Sequence, residues 1–240
     1  MTLRASVCMA TYNGAAFLRE QIDSIVAQLR PGDELLVSDD GSTDDTLEVL
    51  RSYEGQLTVV AHSRVGGVVP NFERVLSSAD RDIVVLSDQD DVWLPGKLER
   101  LRDQLGRTDL VMSNAFVVGA TLTRTSQTLF DQLNVGPGLL HNGWRNSFVG
   151  CCMAFRRSLL QRALPFPAST PWHDWLLGML ASAVGSVAFI DAPLMLYRRH
   201  SANASDTGAG SRNGLVKKLF LRLDLARALI VCLLRNDAKR

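Results

Sequence analysis

Residues 83–93, IVVLSDQDDVW, place three carboxylates within four positions, directly after a run of apolar residues. The three are Asp88, Asp90 and Asp91. Like charges at contact distance cannot all ionise cheaply, so a cation is expected to neutralise them. Oxygen ligands of this kind suit a divalent ion such as Mg²⁺ or Mn²⁺. The segment therefore predicts a divalent-metal site at the end of a buried strand.

Two other interpretations of this acidic segment stay open on the residues alone. An exposed acidic turn before a helix would need no ligand. Asp88, Asp90 and Val92 also fit the Asp-x-Asp-x-Thr/Val string of haloacid-dehalogenase-type phosphatases. In those phosphatases the nucleophile strand normally comes near the start of the chain, whereas here two βα units precede it.

A second acidic segment, SDDGSTDDT at residues 38–46, follows another apolar strand and opens a helix. Carboxylates at the carboxyl end of a strand lie where open α/β sheets bind ligands. The alternative is a polar turn with a helix cap, because Ser42 and Asp45 have the spacing of a capping box. Asp39 and Asp40 exceed what such a turn requires, which favours a binding role.

Two further motifs lie in the second half of the chain. WHDWLLG, residues 172–178, places Asp174 beside His173 and between two tryptophans. An Asp at the start of an apolar helix is either a cap or, when desolvated beside aromatic rings that stack a sugar, a general base with a raised pKa. YRRHSAN, residues 197–203, contains His200, and a lone His is more typical of a surface residue than of a ligand.

Strands and helices in a definite order are needed to bring these motifs together. Through the first half, short β-branched runs alternate with stretches of helical period, a pattern typical of βαβ units and a largely parallel sheet. The predicted strands are residues 5–10, 34–38, 57–61 and 83–87. The predicted helices are residues 15–28 and three segments that begin at Ser42, near Pro70 and near Pro95.

The second half is less regular. Residues 121–146 receive no assignment and are the expected place for a substrate-specific loop. Residues 201–214 are rich in Ser, Asn, Gly and Ala, which predicts a flexible linker. The remaining predictions are a strand at 110–118, an ordered segment at 148–155, a helix at 173–184 and a strand at 187–190.

Composition excludes several classes of protein. The chain has 240 residues, of which 46% are hydrophobic and 21% charged, so a disordered, collagen-like or coiled-coil protein is excluded. A net charge of +1 gives no field that favours nucleic acid. The four cysteines lack metal-ligand spacing and are interpreted as buried reduced thiols. Without a signal-peptide core or an apolar run of about 18 residues, the chain is expected to be cytoplasmic.

The C-terminal segment differs in charge from the rest. Residues 212–240 hold eight basic and two acidic residues, a local charge of +6 that leaves −5 for the remainder. Within this segment, residues 215–234 predict a basic helix that is too apolar to stand alone in water. Two kinds of partner remain open: an anionic membrane surface, or protein, either the catalytic body or a second copy in a homodimer.

In this order and at these spacings, the motifs resemble the family-2 inverting glycosyltransferases of the GT-A fold. The resemblance covers nearly all of residues 5–203 and rests on VCMATYNG, LLVSDDGSTDDT, LSDQDDVWLPGKLE, NSFVGCCMAFRR, HDW and YRRHSAN. DQDDVWLP, GVVPNFERVL, HDW and YRRH further resemble the bacterial rhamnosyltransferase-like branch, whose members build O-antigen and other cell-surface polysaccharides. The implied fold is α/β, with a Rossmann-like, mostly parallel central sheet, flanking helices and the C-terminal helix.

The motifs, together with the composition of the C-terminal segment, predict how the chain is divided. Residues 1–112 form the nucleotide-sugar-binding half, and residues 113–206 form the acceptor-binding and catalytic half of the same domain. Residues 207–240 are the linker and the amphipathic helix.

Residue by residue, the resemblance implies a donor site at the ends of the first strands. Thr11, Tyr12 and Asp40 hold the nucleobase, and Asp39 supports their loop. Gly150 matches the glycine at which the chain comes close to donor and acceptor.

The resemblance likewise implies a metal site and a base. Asp90 ligates the metal, Asp88 contacts the ribose or the metal, and His200 completes the site. Asp91 faces the acceptor or braces the loop. Asp174 matches the catalytic base.

Two further residues match the family pattern, and one position departs from it. Asn71 and Arg74 lie where this branch could reach the diphosphate. The usual acidic pair before the catalytic helix is His173 and Asp174 here, which leaves one carboxylate for base work.

The implied reaction is a single metal-assisted displacement. Asp174 takes the proton of an acceptor hydroxyl as that hydroxyl attacks the anomeric carbon, and the centre inverts. The expected donor is dTDP-rhamnose, with a UDP-sugar as the alternative, and the expected acceptor is a saccharide or a polyprenyl-linked saccharide. The Gln-x-x-Arg-Trp motif of processive synthases is absent, so one sugar is expected per encounter. A non-catalytic nucleotide-sugar-binding protein is the remaining alternative, although Asp90 and Asp174 are both present.

Overall fold

The computed structural model describes residues 3–133, 135–200 and 214–235. Across these residues, nine strands form one mixed sheet in the order β3-β2-β1-β4-β8-β6-β9-β5, with β7 paired to β6. The strands are β1 Ala5–Thr11, β2 Glu34–Asp39, β3 Thr58–His62, β4 Ile83–Ser87, β5 Val92–Trp93, β6 Leu110–Gly119, β7 Arg124–Thr128, β8 Met153–Arg156 and β9 Val187–Arg199.

The first four strands lie where the sequence predicts them, each to within one residue. β2 and β4 flank β1, β3 follows β2, and all of these pairings are parallel. The residues of β4 are all buried, as are nearly all of those of β1, which explains their unbroken apolar runs. The ends of these strands therefore meet at one edge of the sheet, where the two acidic segments begin.

Nine helices, counted over the described residues, surround the sheet. They are α1 Ala15–Val26, α2 Thr46–Arg51, α3 Val68–Leu76, α4 Lys97–Leu105, α5 Leu129–Leu133, α6 Leu139–Trp144, α7 Leu160–Ala163, α8 His173–Val184 and α9 Leu215–Leu234. The predicted helices at 173–184 and 215–234 have the observed bounds. Residues 201–213, which include most of the predicted linker, lie outside the described residues.

The predicted capping box of α2 is wrong. The helix begins at Thr46, and Asp45 makes no side-chain cap hydrogen bond. The Ser42 hydroxyl instead donates to Asp39 at 2.5 Å, and Asp44 accepts the Thr46 amide at 3.1 Å. Ser42 therefore stabilises the loop before the helix and leaves the helix end to Asp44.

The second half makes the sheet mixed, but six of its nine strands (β1, β2, β3, β4, β6 and β9) run in the same direction, which confirms the expectation of a mostly parallel sheet. β8 is antiparallel to both β4 and β6, and β5 is antiparallel to β9. The segment predicted at 148–155 is a 3-10 turn, Gly150–Cys152, followed by β8. Residues 121–146, left unassigned from sequence, contain β7, α5 and α6.

β9 is far longer than the predicted strand at 187–190. It spans 13 residues, runs parallel to β6 and antiparallel to β5, and carries most of the YRRH motif. Many of its residues are half-buried, so the apolar alternation that marks a strand is weak. Because of this length, the end of β9 lies beside the acidic loop.

A buried ion pair holds the N-terminal end of β1. Asp33 accepts the Ala5 amide at 2.8 Å, the Arg30 amide at 2.9 Å and the Arg102 guanidinium at 2.8 Å. Arg102 also donates to the Leu3 carbonyl. Burial alone would raise the pKa of Asp33, but the hydrogen bonds and charge of Arg102 and the two amides lower this pKa below its usual value.

α9 packs on the body of the protein through one face. Leu225, Ala228 and Cys232 of this face are buried. All four cysteines of the chain are buried and free of disulfide bonds. Over the described residues, no helix combines the length and apolarity that a membrane crossing requires.

Candidate active site

The acidic loop, residues 88–91, joins β4 to β5. Single ligand atoms of Asp88, Asp91 and Cys151 all lie within 4.8 Å of one another. Oδ1 of the buried Asp91 accepts the Arg198 amide at 2.9 Å. Among the residues that the structure describes, Oδ2 of Asp91 has no hydrogen-bond partner. A buried carboxylate oxygen without a hydrogen-bond partner destabilises the fold unless a ligand binds to it.

The carboxylates of the loop raise one another's pKa. Burial, followed by the charges of Asp90 and Asp174, raises the pKa of Asp88 to about 7. Burial and the charges of Asp90 and Asp88 raise the pKa of Asp91 well above its usual value. The cluster therefore has an excess of negative charge, which a bound cation would neutralise.

Asp90 and His200 are brought together from 110 residues apart, as the predicted metal set requires. Nε2 of His200 lies 2.8 Å from Oδ2 of Asp90, and the imidazole stacks on Phe17 with ring centroids 4.5 Å apart. Carboxylate oxygens with one imidazole are a donor set that Mg²⁺ and especially Mn²⁺ accept. The residues present therefore fit a divalent ion. The Cys151 thiol does not fit a hard ion, since its hydrogen bond with Cys152 and its burial raise its pKa well above the usual value.

Arg198 holds the acidic loop in place, a role that sequence reasoning missed. Its Nε donates to the Asp90 carbonyl at 2.6 Å, and its own amide donates to Asp91. The guanidinium also donates to the Ala120 carbonyl and pairs with Glu20 of α1. Two arginines beside a histidine were visible in the YRRH motif, but their backbone partners were not.

Lys97 is a second missed residue, buried beneath the loop at the start of α4. Its Nζ donates to the Cys151 carbonyl at 2.7 Å, lies 2.9 Å from Sδ of Met195 and lies 4.5 Å from the Trp93 ring centroid. Burial lowers the pKa of Lys97, whereas nearby thiols and the charges of Asp91 and Asp88 act in the opposite direction. Lys97 thus braces the 150–152 turn.

Tyr12 lies beside the acidic loop with an exposed ring. Its side chain is 41% exposed, and the Arg64 guanidinium lies 4.5 Å from the ring centroid. The Gln89 side chain accepts the Tyr12 amide at 2.8 Å and donates to the Tyr12 carbonyl at 3.0 Å. An aromatic ring presented in this way can stack on a base, so a nucleobase contact by Tyr12 stays a prediction that the geometry allows.

Asp39 supports the loop around it. The fully buried carboxylate accepts the Thr11 hydroxyl at 2.8 Å, the Ser42 hydroxyl at 2.5 Å and Nδ1 of His62 at 2.7 Å. Burial would raise the pKa of Asp39, but these hydrogen bonds lower it. The buried Thr11 hydroxyl binds Asp39 in this structure, and the expected contact of Thr11 with a nucleobase stays a prediction.

Asp40 organises the loop before α3. Its carboxylate accepts the amides of Val65, Gly66 and Gly67, the last two at 3.0 Å. These amides and the charge of Arg64 lower the pKa of Asp40, although burial acts to raise it. Its contact with a nucleobase stays a prediction.

Asn71 and Arg74 brace the segments around them, and their expected contact with the diphosphate stays a prediction. Asn71 is buried, donates to the Thr11 carbonyl at 3.1 Å and accepts the Ser38 hydroxyl at 2.7 Å. Arg74 donates through Nε to Ser38, and its two terminal nitrogens make four further hydrogen bonds. All five N–H groups of its guanidinium are therefore used within the protein.

Asp174 is the second residue of α8 and is fixed through both oxygens. Oδ2 accepts the Gly150 amide at 3.0 Å, and Oδ1 accepts the Trp175 amide at 2.7 Å. Burial raises the pKa of Asp174 to about 6, although these amides act to lower it. A Cβ atom at Gly150 would lie 3.3 Å from Nε2 of His173 and 3.5 Å from Cβ of Asp174. The turn at Gly150 therefore packs directly against this carboxylate.

The aromatic neighbours of Asp174 differ from expectation. His173 is buried and stacked on Phe72, and burial lowers its pKa to about 3, so it is neutral. The Trp175 indole is also buried and donates to the Asn142 carbonyl at 2.8 Å, which corrects the expectation that both tryptophans could stack a sugar. Trp172 is exposed and keeps that possibility.

Comparison with known proteins decides which family this site belongs to. Residues 6–164 match the family model described as Glycosyl transferase family 2. The chain belongs to glycosyl transferase family 2. Membership confirms the family expected from the motifs and replaces the phosphatase hypothesis, so this family-2 transferase is an enzyme of the glycosyl-transferring class.

Curated relatives of this family-2 transferase act in different settings. It is 28% identical over 248 residues to the dTDP-rhamnosyl transferase RfbG of Shigella flexneri, covering 91% of this chain and 82% of RfbG. It is 26% identical over 151 residues to the putative teichuronic acid biosynthesis glycosyltransferase TuaG of Bacillus subtilis. That match covers 61% of this chain and 59% of TuaG.

Solved structures show the same fold. The mannosyltransferase PcManGT of Pyrobaculum calidifontis, in complex with GDP-Man and Mn²⁺, superposes with a TM-score of 0.67 at 22% identity, covering 99% of this chain and 75% of that one. TarS 1–349 of S. aureus, in complex with UDP-GlcNAc, superposes with a TM-score of 0.66 at 19% identity, covering 97% and 67%. This family-2 transferase therefore has the GT-A fold expected for it.

Proposed function

We propose that this transferase moves one sugar from a nucleotide-diphosphate donor to an acceptor hydroxyl, with inversion of the anomeric centre and with a divalent cation. One observation carries the proposal. The acidic loop, His200 at the end of β9 and Asp174 at the start of α8 converge at one edge of the sheet. The charge of Asp174 acts on Asp88, 86 positions away in sequence, which supports one reaction space shared by base and metal ligands.

A divalent ion would be held by the acidic loop and His200. Asp90 and His200 are the proposed ligands, together with Asp88, which contacts either the metal or the ribose. When bound, the cation supplies Lewis-acid stabilisation of the departing diphosphate. Asp91, whose Oδ2 is buried and without a partner among the described residues, is a further proposed ligand, beyond the roles that the motifs implied for it.

Asp174 is the proposed general base. A carboxyl with a pKa near 6 is ionised at neutral pH yet more basic than an exposed Asp, as a proton acceptor requires. The amides of Gly150 and Trp175 hold both oxygens, so the direction of the carboxylate is set before the acceptor arrives. His173, being neutral and stacked on Phe72, does not compete for the proton.

The proposed donor is dTDP-rhamnose, and a UDP-sugar is the alternative. The similarity to RfbG, which is named a dTDP-rhamnosyl transferase, supports rhamnose. The proposed acceptor is a saccharide or polyprenyl-linked saccharide of cell-surface polysaccharide synthesis, on the cytoplasmic side. The similarity to TuaG, named for teichuronic acid biosynthesis, supports that setting. Tyr12 and Asp40 are the proposed base contacts.

Calorimetry of dTDP, UDP and GDP, each with and without Mn²⁺ or Mg²⁺, tests the proposal. We expect metal-dependent binding that is tightest for dTDP. Asp90→Ala should abolish the metal dependence, whereas Asp80→Ala, a change at an exposed Asp that precedes β4 while the loop follows it, should leave it intact. A preference for UDP would replace the donor alone, and absence of nucleotide binding would contradict the proposal.

Turnover distinguishes the transferase from a non-catalytic binding protein. With dTDP-rhamnose and a saccharide acceptor, we expect release of dTDP and a product whose anomeric configuration, read by NMR coupling constants, is opposite to that of the donor. Donor binding without any transfer or hydrolysis would favour the binding protein.

A further inference from the structure

α9 is apolar on two opposite faces. Its inner face, which includes the buried Leu225, Ala228 and Cys232, packs on the body. At 100° per residue, seven further apolar side chains fall within an arc of about 120° on the opposite side. This exposed stripe consists of Val216, Leu219, Phe220, Leu223, Ile230, Val231 and Leu234, which are 40–69% exposed. Packing on the body therefore leaves a full apolar face in contact with solvent.

The neighbouring helix α6 carries two more exposed apolar side chains. Leu140 is 92% exposed and Trp144 is 71% exposed. Arg222 of α9 donates to the Trp144 carbonyl at 2.6 Å, and its guanidinium lies 4.8 Å from the ring centroid of that Trp, so α6 lies beside α9. Apolar side chains exposed in such number on adjacent helices mark an interaction site.

The charges around the stripe all favour an anionic partner. Residues 214–235 carry five basic side chains against the single carboxylate of Asp224. The basic residues are Lys217, Lys218, Arg222, Arg227 and Arg235. A helix with an apolar face, flanking Lys and Arg, and an adjacent exposed Trp has the composition of an element that lies in a lipid interface.

Arg227 argues against a second copy of the chain as the occupant. It lies within the arc of the stripe, its side chain is 70% exposed, and its one ion pair in the described structure is with Asp224 at 3.2 Å. In a symmetric pairing of two α9 helices through this stripe, the cation would be buried against apolar side chains or against the Arg227 of the second copy, and either arrangement disfavours association. Against anionic headgroups, the same side chain extends outward and is stabilised.

We infer that the exposed stripe of α9, together with Leu140 and Trp144, docks the protein on an anionic phospholipid bilayer. The apolar side chains enter the boundary between headgroups and acyl chains. The basic side chains contact lipid phosphates, so binding needs both apolar burial and negative surface charge.

Vesicle flotation of the full chain tests this inference. The protein should float with vesicles of phosphatidylcholine mixed with phosphatidylglycerol and stay at the bottom with phosphatidylcholine alone. Added salt should weaken the binding, because it screens exposed charges. Leu219→Glu with Leu223→Glu should lower the affinity at least about 10-fold, since two apolar anchors are lost. Val59→Glu with Val184→Glu, the same change at exposed positions on β3 and α8, should leave it unchanged.

A second variant class separates the charges from the apolar stripe. Lys217→Gln with Lys218→Gln should lower affinity for the mixed vesicles by about 10-fold while the helix face stays apolar. Both double variants replace side chains on the exposed part of α9, so the circular dichroism spectrum and Tm should match those of the parent.

Two results would overturn the inference. Flotation that is undiminished by Leu219→Glu with Leu223→Glu would show that the stripe does not enter lipid. A parent protein that ignores both vesicle types, and that light scattering shows to be a dimer split by the same variant, would assign the face to a second copy. Neither result bears on nucleotide binding, so the proposed function is tested separately.

Discussion

The amide of Gly150 donates a 3.0 Å hydrogen bond to Oδ2 of Asp174, and this bond joins the turn before β8 to the start of α8. The turn is also stabilised by Lys97, which is buried and donates to the Cys151 carbonyl. The proposed base is therefore positioned by a buried scaffold rather than by a surface loop. Substitutions at Gly150 or Asp174 should therefore lower turnover more than they weaken donor binding.

Replacing Asp174 by Asn should separate chemistry from binding. The variant keeps the size of the side chain and removes its proton affinity, so kcat should fall by about 10²- to 10⁴-fold. The Kd for the nucleotide in the presence of metal, measured by calorimetry, should stay within about twofold. Asp191→Asn, at an exposed carboxyl of β9, provides the matched control. A near-normal kcat in Asp174→Asn would reduce Asp174 to a helix cap.

The pH dependence of kcat should report the same carboxyl. Burial raises the pKa of Asp174 to about 6, and a base must be deprotonated to accept a proton. With saturating donor and metal, kcat should rise about tenfold per pH unit below pH 6 and level off above it. The residual activity of Asp174→Asn should lack this acidic limb. A flat profile from pH 5 to 8 in the parent protein would contradict the assignment.

Gly150→Ala should displace His173, and with it the adjacent base Asp174, by a few tenths of an ångström. The new Cβ would lie 3.3 Å from Nε2 of His173, closer than that ring readily accepts, and 3.5 Å from Cβ of Asp174, an ordinary contact. We expect kcat to fall by roughly 10-fold, a smaller loss than in Asp174→Asn, because a misplaced base keeps its proton affinity. Gly119→Ala is the control, since its Cβ would meet nothing within 4 Å. If both variants keep the parent kcat, Gly150 does not set the direction of Asp174.

Asp33→Asn should destabilise the fold without touching the site. The side chains of Asp33 and Arg102 are 1% and 5% exposed, so neutralising one leaves the other charge buried and costs about 3 kcal/mol in the free energy of unfolding. Urea denaturation at pH 7 measures this loss. Asp82→Asn, which weakens an exposed pair with Arg4, should cost less than about 1 kcal/mol.

The same ion pair gives a signed pH dependence. The pKa of Asp33 is lower in the folded state than in the unfolded chain, so the unfolded state binds more protons as the pH falls. The stabilisation by Asp33 is therefore complete above the ordinary Asp value of about 3.9 and is lost as the pH falls through the lower folded pKa. The difference between parent and Asp33→Asn should shrink below about pH 4. A difference that stays constant in acid would show that the charge of Asp33 is not its source.

The sequence was sufficient to predict those functional side chains that directly follow the end of a strand. The acidic loop follows an unmistakable buried strand, so its position at the sheet edge could be predicted. His200 could be placed beside Asp90 only through the family resemblance, because 110 residues separate them. The length of β9, which brings His200 there, was hidden by its half-buried residues.

Other features of the site could not be predicted because their partners are backbone groups. Arg198 binds the Asp90 carbonyl and Lys97 binds the Cys151 carbonyl, and residue types carry no record of such bonds. The error at Ser42 has a similar cause. Its hydroxyl had two suitable acceptors in reach, the helix end and Asp39, and only the folded loop shows that Asp39 is the one used.

The strand order of the sheet also limits which movements can open the active site. β8, from the second half of the chain, lies between β4 and β6, and β5, from the first half, pairs with β9. Arg198 then crosses from β9 to α1 and to the acidic loop. The strands of residues 3–112 and 113–200 are thus interleaved, with no hinge line between two rigid lobes. We therefore expect substrates to enter and the nucleotide to leave through local movement of the loops at the rim, while the sheet keeps its arrangement.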